Sequence, residues 1–159
     1  MAPSVFNGAL GLVELDPSGL CFVDLGCGKG RTLILAARRG FKRVIGVEFS
    51  PGLVAIARKN LKRTGLDAEV VDEDAGQYRL PDDNLVIYMY NPFGSAVMIT
   101  VIRSLLEWGK SCRRTAYVIY LEDIHHGLFE SEAAFELIAR RDHLSVWRLR
   151  DGGRSAQMS

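Results

Sequence analysis

A chain of 159 residues, 48% hydrophobic and 25% charged, has the length and composition of one globular domain with a sizeable core. Its formal net charge of +1 gives no whole-chain electrostatic case for nucleic acid or anionic membrane and leaves a local basic patch open, and the pairs Arg38-Arg39, Arg113-Arg114 and Arg140-Arg141 read as solvated helix ends and turns. No apolar run approaches the ~18 residues of a membrane span, no signal-peptide pattern opens the chain, and three cysteines without metal-ligand spacing suit a reduced, cytoplasmic location.

Residues 1–19, rich in Gly, Pro and Ser, read as a short lead-in or lid. A first strand (Cys21, Phe22, Val23, Leu25) carries Asp24 and ends in three alternate glycines, Gly26, Gly28 and Gly30. A helix over 31–39 follows at once, with Leu33, Ile34 and Ala37 on one face and Gly40 as its C-terminal cap. A second strand, 42–49, contains Glu48 near its end. Ser50 and Pro51 then open a helix as N-cap and first helical residue, with Leu53, Val54, Ile56, Ala57 and Leu61 as its buried stripe and Gly65 closing it.

A third strand over 68–71 leads into Asp72-Glu73-Asp74-Ala75 and a turn-rich connection, 76–83. The fourth strand, 84–90, is almost continuously apolar, as a strand covered on both faces must be, and stops at Asn91-Pro92-Phe93-Gly94. A helix through Val97, Met98, Val101, Ile102, Leu105 and Leu106 precedes a fifth strand over 116–121. His125, His126 and a short helix near Glu130 come next. The runs 135–139 and 144–149 suit a hairpin, and 151–159 form a polar tail. Strands alternating with helices, then a hairpin, predict a Rossmann-like α/β domain over 20–150 with a mostly parallel sheet and an antiparallel C-terminal hairpin.

In such a sheet ligands bind beyond the carboxyl ends of the central strands, so the polar residues at the strand ends should meet in one cleft. Glycines at a strand-to-helix turn allow positive φ and close approach of a ligand to the backbone. Glu48, twenty residues after Gly28, stands where a carboxylate accepts hydrogen bonds from the ribose hydroxyls of an adenosine cofactor. Asp74 and the Ala75 N–H are placed to meet the adenine edge. A dinucleotide loop is spaced Gly-x-Gly-x-x-Gly and holds a pyrophosphate, whereas this loop is Gly-x-Gly-x-Gly beside an acid, which suits a cofactor bearing an ammonium group. Cys27 reads as a small residue tolerated between glycines, and His125 and His126 as surface residues without metal partners.

The motifs Val23–Arg31, Val44–Pro51, Asp72–Ala75 and Tyr90–Gly94 resemble, in order, those of class I S-adenosylmethionine-dependent methyltransferases. The resemblance implies a seven-stranded sheet with its last strand antiparallel, with S-adenosyl-L-methionine as cofactor. It places the methionine part on Asp24 and the loop of Gly26, Gly28 and Gly30. Glu48 takes the ribose, Phe49 packs on adenine, and Asp74 and Ala75 read its edge. Asn91, Pro92 and Phe93 are similar to the Asn-Pro-Pro-aromatic signature of enzymes that methylate planar amino groups, with one proline in place of two. They are the candidate catalytic residues.

The acceptor expected on this reading is a small molecule or a protein side chain in preference to nucleic acid, with no membrane partner and a possible homodimer. Two alternatives accompany it: a protein-lysine methyltransferase, and an S-adenosylmethionine-binding module without catalysis of its own. A nicotinamide oxidoreductase is disfavoured by the loop spacing.

Overall fold

The computed structural model describes residues 2–91, 93–111 and 113–150. Seven strands form one sheet in the order β3-β2-β1-β4-β5-β7-β6. They are β1 (Cys21–Leu25), β2 (Arg43–Glu48), β3 (Glu69–Asp72), β4 (Leu85–Tyr90), β5 (Ala116–Leu121), β6 (Phe135–Arg141) and β7 (Leu144–Leu149). The first five run parallel. β7 lies antiparallel between β5 and β6, completing the architecture that the strand pattern predicted. The reversal of strand order between β1 and β4 opens the crevice in which a doubly wound sheet binds its ligand.

Helices α1 (Pro3–Gly11), α2 (Arg31–Arg38) and α3 (Pro51–Thr64) cover one face of the sheet, and α4 (Ser95–Ser111) and α5 (His126–Glu130) the other. The period-2 geometry of a strand explains the division. Cys21, Val23 and Leu25 of β1 point toward α4, while Phe22 points toward α2. On the α4 face Met98, Val101, Ile102 and Leu105 recur at helical spacing and are buried, as the sequence predicted.

Several local readings change. Residues 3–11, read as part of a lead-in or lid, form α1, whose Phe6 is wholly buried with ring centroids 5.8 Å from Phe22 and 5.6 Å from Tyr88. Burying such a ring contributes roughly 2 to 3 kcal/mol, enough to anchor a nine-residue helix that could not persist alone. The buried face of α2 is Thr32, Leu33 and Ala36, with Ile34 and Ala37 at its margins. Ser50 is the N-cap of α3 but makes no side-chain cap hydrogen bond; its backbone N–H donates to a Glu48 oxygen (3.1 Å). Gly65 does close that helix, at φ +65°. No helix forms between β3 and β4; the Trp108 indole of α4 donates to the Pro81 carbonyl (3.0 Å) and ties down that connection. The tail 151–159 lies outside the described residues.

Candidate active site

The glycine loop is held from behind by β2, since the Val47 carbonyl accepts the N–H groups of Gly26 (2.8 Å) and Cys27 (3.1 Å). Gly26, Gly28 and Gly30 all have positive φ (84°, 54° and 79°), the conformation for which glycine is needed. Gly30 is also pressed onto α3, where an added Cβ would stand 3.2 Å from the Ala57 Cβ. Gly28 faces the other way, with open space where a Cβ would be.

That space belongs to a cleft of about 600 Å³ lined by Gly26, Gly28, Glu48, Phe49, Asp74 and Ala75, together with Phe93 and Gly94 from the end of β4. Of the residues expected to touch a cofactor, only Asp24 and Gly30 stand behind the wall. Glu48 is 9% exposed, and its carboxylate gathers three backbone N–H groups: Gly28 on Oε2 (2.9 Å), Phe49 and Ser50 on Oε1 (both 3.1 Å). The acid therefore joins the loop to the end of β2 and still has lone pairs for a ligand. Phe49 is 73% exposed beside it, a flat apolar wall at the mouth. Asp74 uses Oδ1 to accept the Gly76 N–H (2.7 Å), so it shapes the turn as well as lining the cleft, and Ala75 is buried. Leu53 and Val97 also line the cleft, although no sequence motif marked them, as does Glu73 from the Asp72–Ala75 motif, to which no role was given.

The lining carries Glu48, Glu73 and Asp74 and, among the described residues, neither Lys nor Arg. Such a donor set suits a cofactor bearing ammonium and sulfonium charges and opposes a pyrophosphate. Asp24 is 3% exposed and lies beneath the loop, where burial, opposed by the Thr32 hydroxyl and reinforced by Glu48, pushes its carboxyl up to about 7. Folding therefore favours the protonated form between the unfolded and folded values, so Asp24 costs stability above pH 7 and ceases to do so as pH falls toward 4. In thermal melts Asp24→Asn is expected to be more stable than the parent by on the order of 3 kcal/mol at pH 8. The difference should vanish near pH 4; a constant difference across that window would contradict the buried-acid assignment.

At the end of β4 the side chains diverge. Phe93 lies on the cofactor cleft, packed against the α4 face. Tyr90 is 48% exposed and lines a second groove of about 380 Å³, with Val5 and Leu12 of the N-terminal region and Leu121, Glu122 and His143 from across the sheet. Asn91 between them is exposed at φ +37°, its N–H donating to the Leu121 carbonyl (3.0 Å), and among the described residues its carboxamide has no hydrogen-bond partner. Asparagine is one of the few residues that tolerate this conformation. Pro92, the third candidate, lies outside the described residues.

The remaining candidates serve structure. Cys27 is buried against Leu33 and Gly46, and burial pushes its thiol up to about 12, far from a reactive thiolate. His126 lies away from the cleft, its Nδ1 2.8 Å from the Asp123 carbonyl and its ring 3.0 Å from the Arg140 guanidinium. No helix among the described residues is long and apolar enough to cross a membrane.

Comparison with known proteins agrees with the cleft. A family model described as a methyltransferase domain matches residues 22–108, more than half of the chain. A ribosomal protein L11 methyltransferase of Deinococcus radiodurans is 37% identical over 87 residues, which are 50% of this chain and 32% of that protein. An RNA methyltransferase of Chlamydia trachomatis, itself named as uncharacterized, is 42% identical over 72 residues, 45% of this chain and 18% of that one. The chain thus spans about a third or less of the length of the curated relatives it matches. The crystal structure of an RNA methyltransferase from Salinibacter ruber in complex with S-adenosyl-L-homocysteine shares the fold, with a TM-score of 0.67 over 95% of this chain and 92% of that one, at 24% identity.

These relatives overturn one expectation. A preference for small molecules or protein side chains over nucleic acid does not hold, because the proteins this chain resembles are named for RNA and for a ribosomal protein. The preference rested on a net charge summed over the whole chain, which hides how charge is distributed. The glycine loop, the acid-lined cleft and the matched family model lead to one conclusion: the chain belongs to the methyltransferase-domain family, the class I S-adenosylmethionine-dependent methyltransferases.

Proposed function

We propose that this chain transfers the methyl group of S-adenosylmethionine to an amino nitrogen of a macromolecule, either a base amine of RNA or a side-chain nitrogen of a ribosomal protein. The observation that carries this reading is the end of β4, where an exposed Asn91 at φ +37° follows Tyr90 on one groove and comes two residues before Phe93 on the cofactor cleft. The names of the relatives, RNA methyltransferases and ribosomal protein methyltransferases, support both acceptor classes.

In this reading Glu48 accepts hydrogen bonds from the ribose hydroxyls while keeping the Gly28 N–H, and Phe49 covers the adenine, whose edge Asp74 and the Ala75 N–H read. Asp24 acts through the loop of Gly26, Gly28 and Gly30, which receives the methionine part. The bound cofactor supplies an electrophilic methyl on a sulfonium. Asn91 accepts a hydrogen bond from the acceptor amine through its carboxamide oxygen and so turns the nitrogen lone pair toward that methyl. With the cofactor held by these residues, the aligned nitrogen would take the methyl from the sulfonium, leaving the thioether product, and its proton would pass to water. Phe93 excludes water from the line of approach. Such a reaction gains most from alignment and little from strong acid–base help.

Methyl transfer from labelled cofactor to RNA and to ribosomal-protein fractions tests the reading. Asn91→Ala is expected to lower kcat by about tenfold or more while cofactor affinity stays within about threefold, since only transition-state alignment is lost. Transfer at the parental rate would rule out the planar-amine role and favour a lysine acceptor.

A further inference from the structure

The charge of this chain is segregated. Residues 29–63 hold ten of its twenty Lys and Arg but one of its nineteen acids, the largely buried Glu48, so this stretch carries a net +9 and the rest of the chain −8. All ten cations (Lys29, Arg31, Arg38, Arg39, Lys42, Arg43, Arg58, Lys59, Lys62 and Arg63) are exposed. The stretch forms the glycine loop, α2, β2 and α3, so these side chains cover one side of the molecule. The Asn60 amide donates to the Lys29 carbonyl (3.0 Å) and ties α3 to the loop, making that side continuous.

Two of the ten are neutralised, Lys42 by Asp83 and Arg43 by Glu69. Arg39 donates to the Asn7 carboxamide and Arg58 to the Val70 carbonyl, neither of which removes charge. Among the described residues, eight of these ten cations therefore lack a carboxylate within 4 Å; elsewhere Arg114, Arg140 and Arg148 are paired with acids while Arg79, Arg103, Lys110, Arg113, Arg141 and Arg150 are not, so what sets this side apart is the scarcity of acids among its cations. The helix dipole accounts for Arg38, Lys62 and Arg63, which sit in last turns. It works against Lys29 and Arg31, which flank the N-terminus of α2, where a cation is disfavoured. Lys29 follows Gly28 of the cleft lining directly and Arg31 opens α2 two residues later, so the basic surface begins next to the cofactor cleft.

We propose that this basic face, from Lys29 and Arg31 at the cleft to Lys59, Lys62 and Arg63 along α3, binds the phosphate backbone of RNA and so delivers a macromolecular acceptor to the site. From the proposed function it takes only that the acceptor is a macromolecule. A protein partner would need an apolar centre to its interface, and the one large apolar side chain exposed on α3 is Ile56. A surface of ten cations on which Ile56 and the cleft-mouth Phe49 are the exposed large apolar side chains matches a ligand whose contacts are mainly repeated charges, independent of sequence. The acids of the β3 region, Asp67, Glu69, Asp72, Glu73 and Asp74, bound the face on one side and give the strand a definite track.

The test is anisotropy of a labelled, mixed-sequence single-stranded RNA titrated with the full chain from about 50 to 200 mM salt. The triple variant Lys59→Glu, Lys62→Glu, Arg63→Glu is expected to bind at least about tenfold more weakly at the low end and to flatten the log–log salt dependence by about 2. Its affinity for S-adenosylhomocysteine, away from the altered turns, should be unchanged. The same charge reversal at Arg103, Lys110 and Arg113, in and just beyond α4, should leave RNA binding as in the parent. Equal weakening by both triple variants, parental binding by the α3 variant, or equally tight binding of poly-glutamate would each overturn the proposal. Because no methyl transfer is read, failure here is separable from failure of the Asn91 assignment.

Discussion

Gly28→Val is expected to reduce binding of S-adenosylmethionine by on the order of 100-fold or more, about 2.8 kcal/mol, while the protein remains a folded α/β domain by circular dichroism. Gly28 has φ +54°, and a β-branched residue there is strained. Its Cβ meets nothing of the protein within 4 Å, so the added side chain occupies the cleft and leaves the core intact. Its N–H is also the donor held by Glu48 Oε2, and rotating the backbone to relieve the strain would break that link. Calorimetric titration measures the loss; retention of parental affinity would mean that the loop is a turn and the cofactor lies elsewhere.

Gly46→Val should act on the fold instead. Gly46 lies in the middle of β2, between β1 and β3, and an added Cβ would stand 2.5 Å from Leu33 Cδ1, 2.6 Å from Cys27 Sγ and 2.9 Å from Cys27 Cβ. Two of these atoms belong to Cys27, the buried residue between Gly26 and Gly28, whose backbone N–H is held by the Val47 carbonyl. Overpacking of this kind costs about 3 kcal/mol, equivalent to a fall in melting temperature of about 6 to 12 °C for a domain of this size. A melting temperature equal to the parent's would show that the packing beneath the loop is looser than the structure has it. The two glycines, eighteen residues apart, thus separate ligand space from core space on opposite sides of one loop.

Much of this was legible in the sequence because the cleft is built from strand ends, and strand ends are marked by abrupt changes in residue type. Asp24, Glu48, Asp74 and Asn91 each terminate or nearly terminate an apolar run, and the sheet order then sets Glu48 and Asp74 on the cleft, Asp24 beneath its loop and Asn91 just past the end of β4. Phe49, Ala75 and Phe93 came with them as immediate neighbours. What escaped were features that depend on contacts distant in the chain. The α1 segment has weak helical periodicity and is fixed by Phe6 inserting between rings of β1 and β4, which no local pattern foretells. The structural role of Gly46 is invisible because its neighbours Leu33 and Cys27 come from an earlier turn and helix. Tyr90 read as the last residue of a buried strand, yet β4 outruns its cover there and exposes the ring. The misjudged acceptor preference has the same origin, since charge summed along a chain carries no information about which surface displays it.

The position of β7 bears on how the protein is made. β5 pairs with β4 on one side and, on the other, with a strand whose residues, 144–149, come more than twenty positions later. As the chain leaves the ribosome, β1 to β5 can assemble with α1 to α4, but β5 then presents an unpaired edge of six residues, four of them aromatic or β-branched in the run Tyr-Val-Ile-Tyr. β6 cannot seal it directly, because β6 joins the sheet only through β7. Pairing of β1 to β5 before residues 144–149 are made would complete the lining of the cofactor cleft while leaving this edge of β5 open. Cofactor bound during synthesis would stabilise that state by mass action and shorten the interval in which the edge could find another chain.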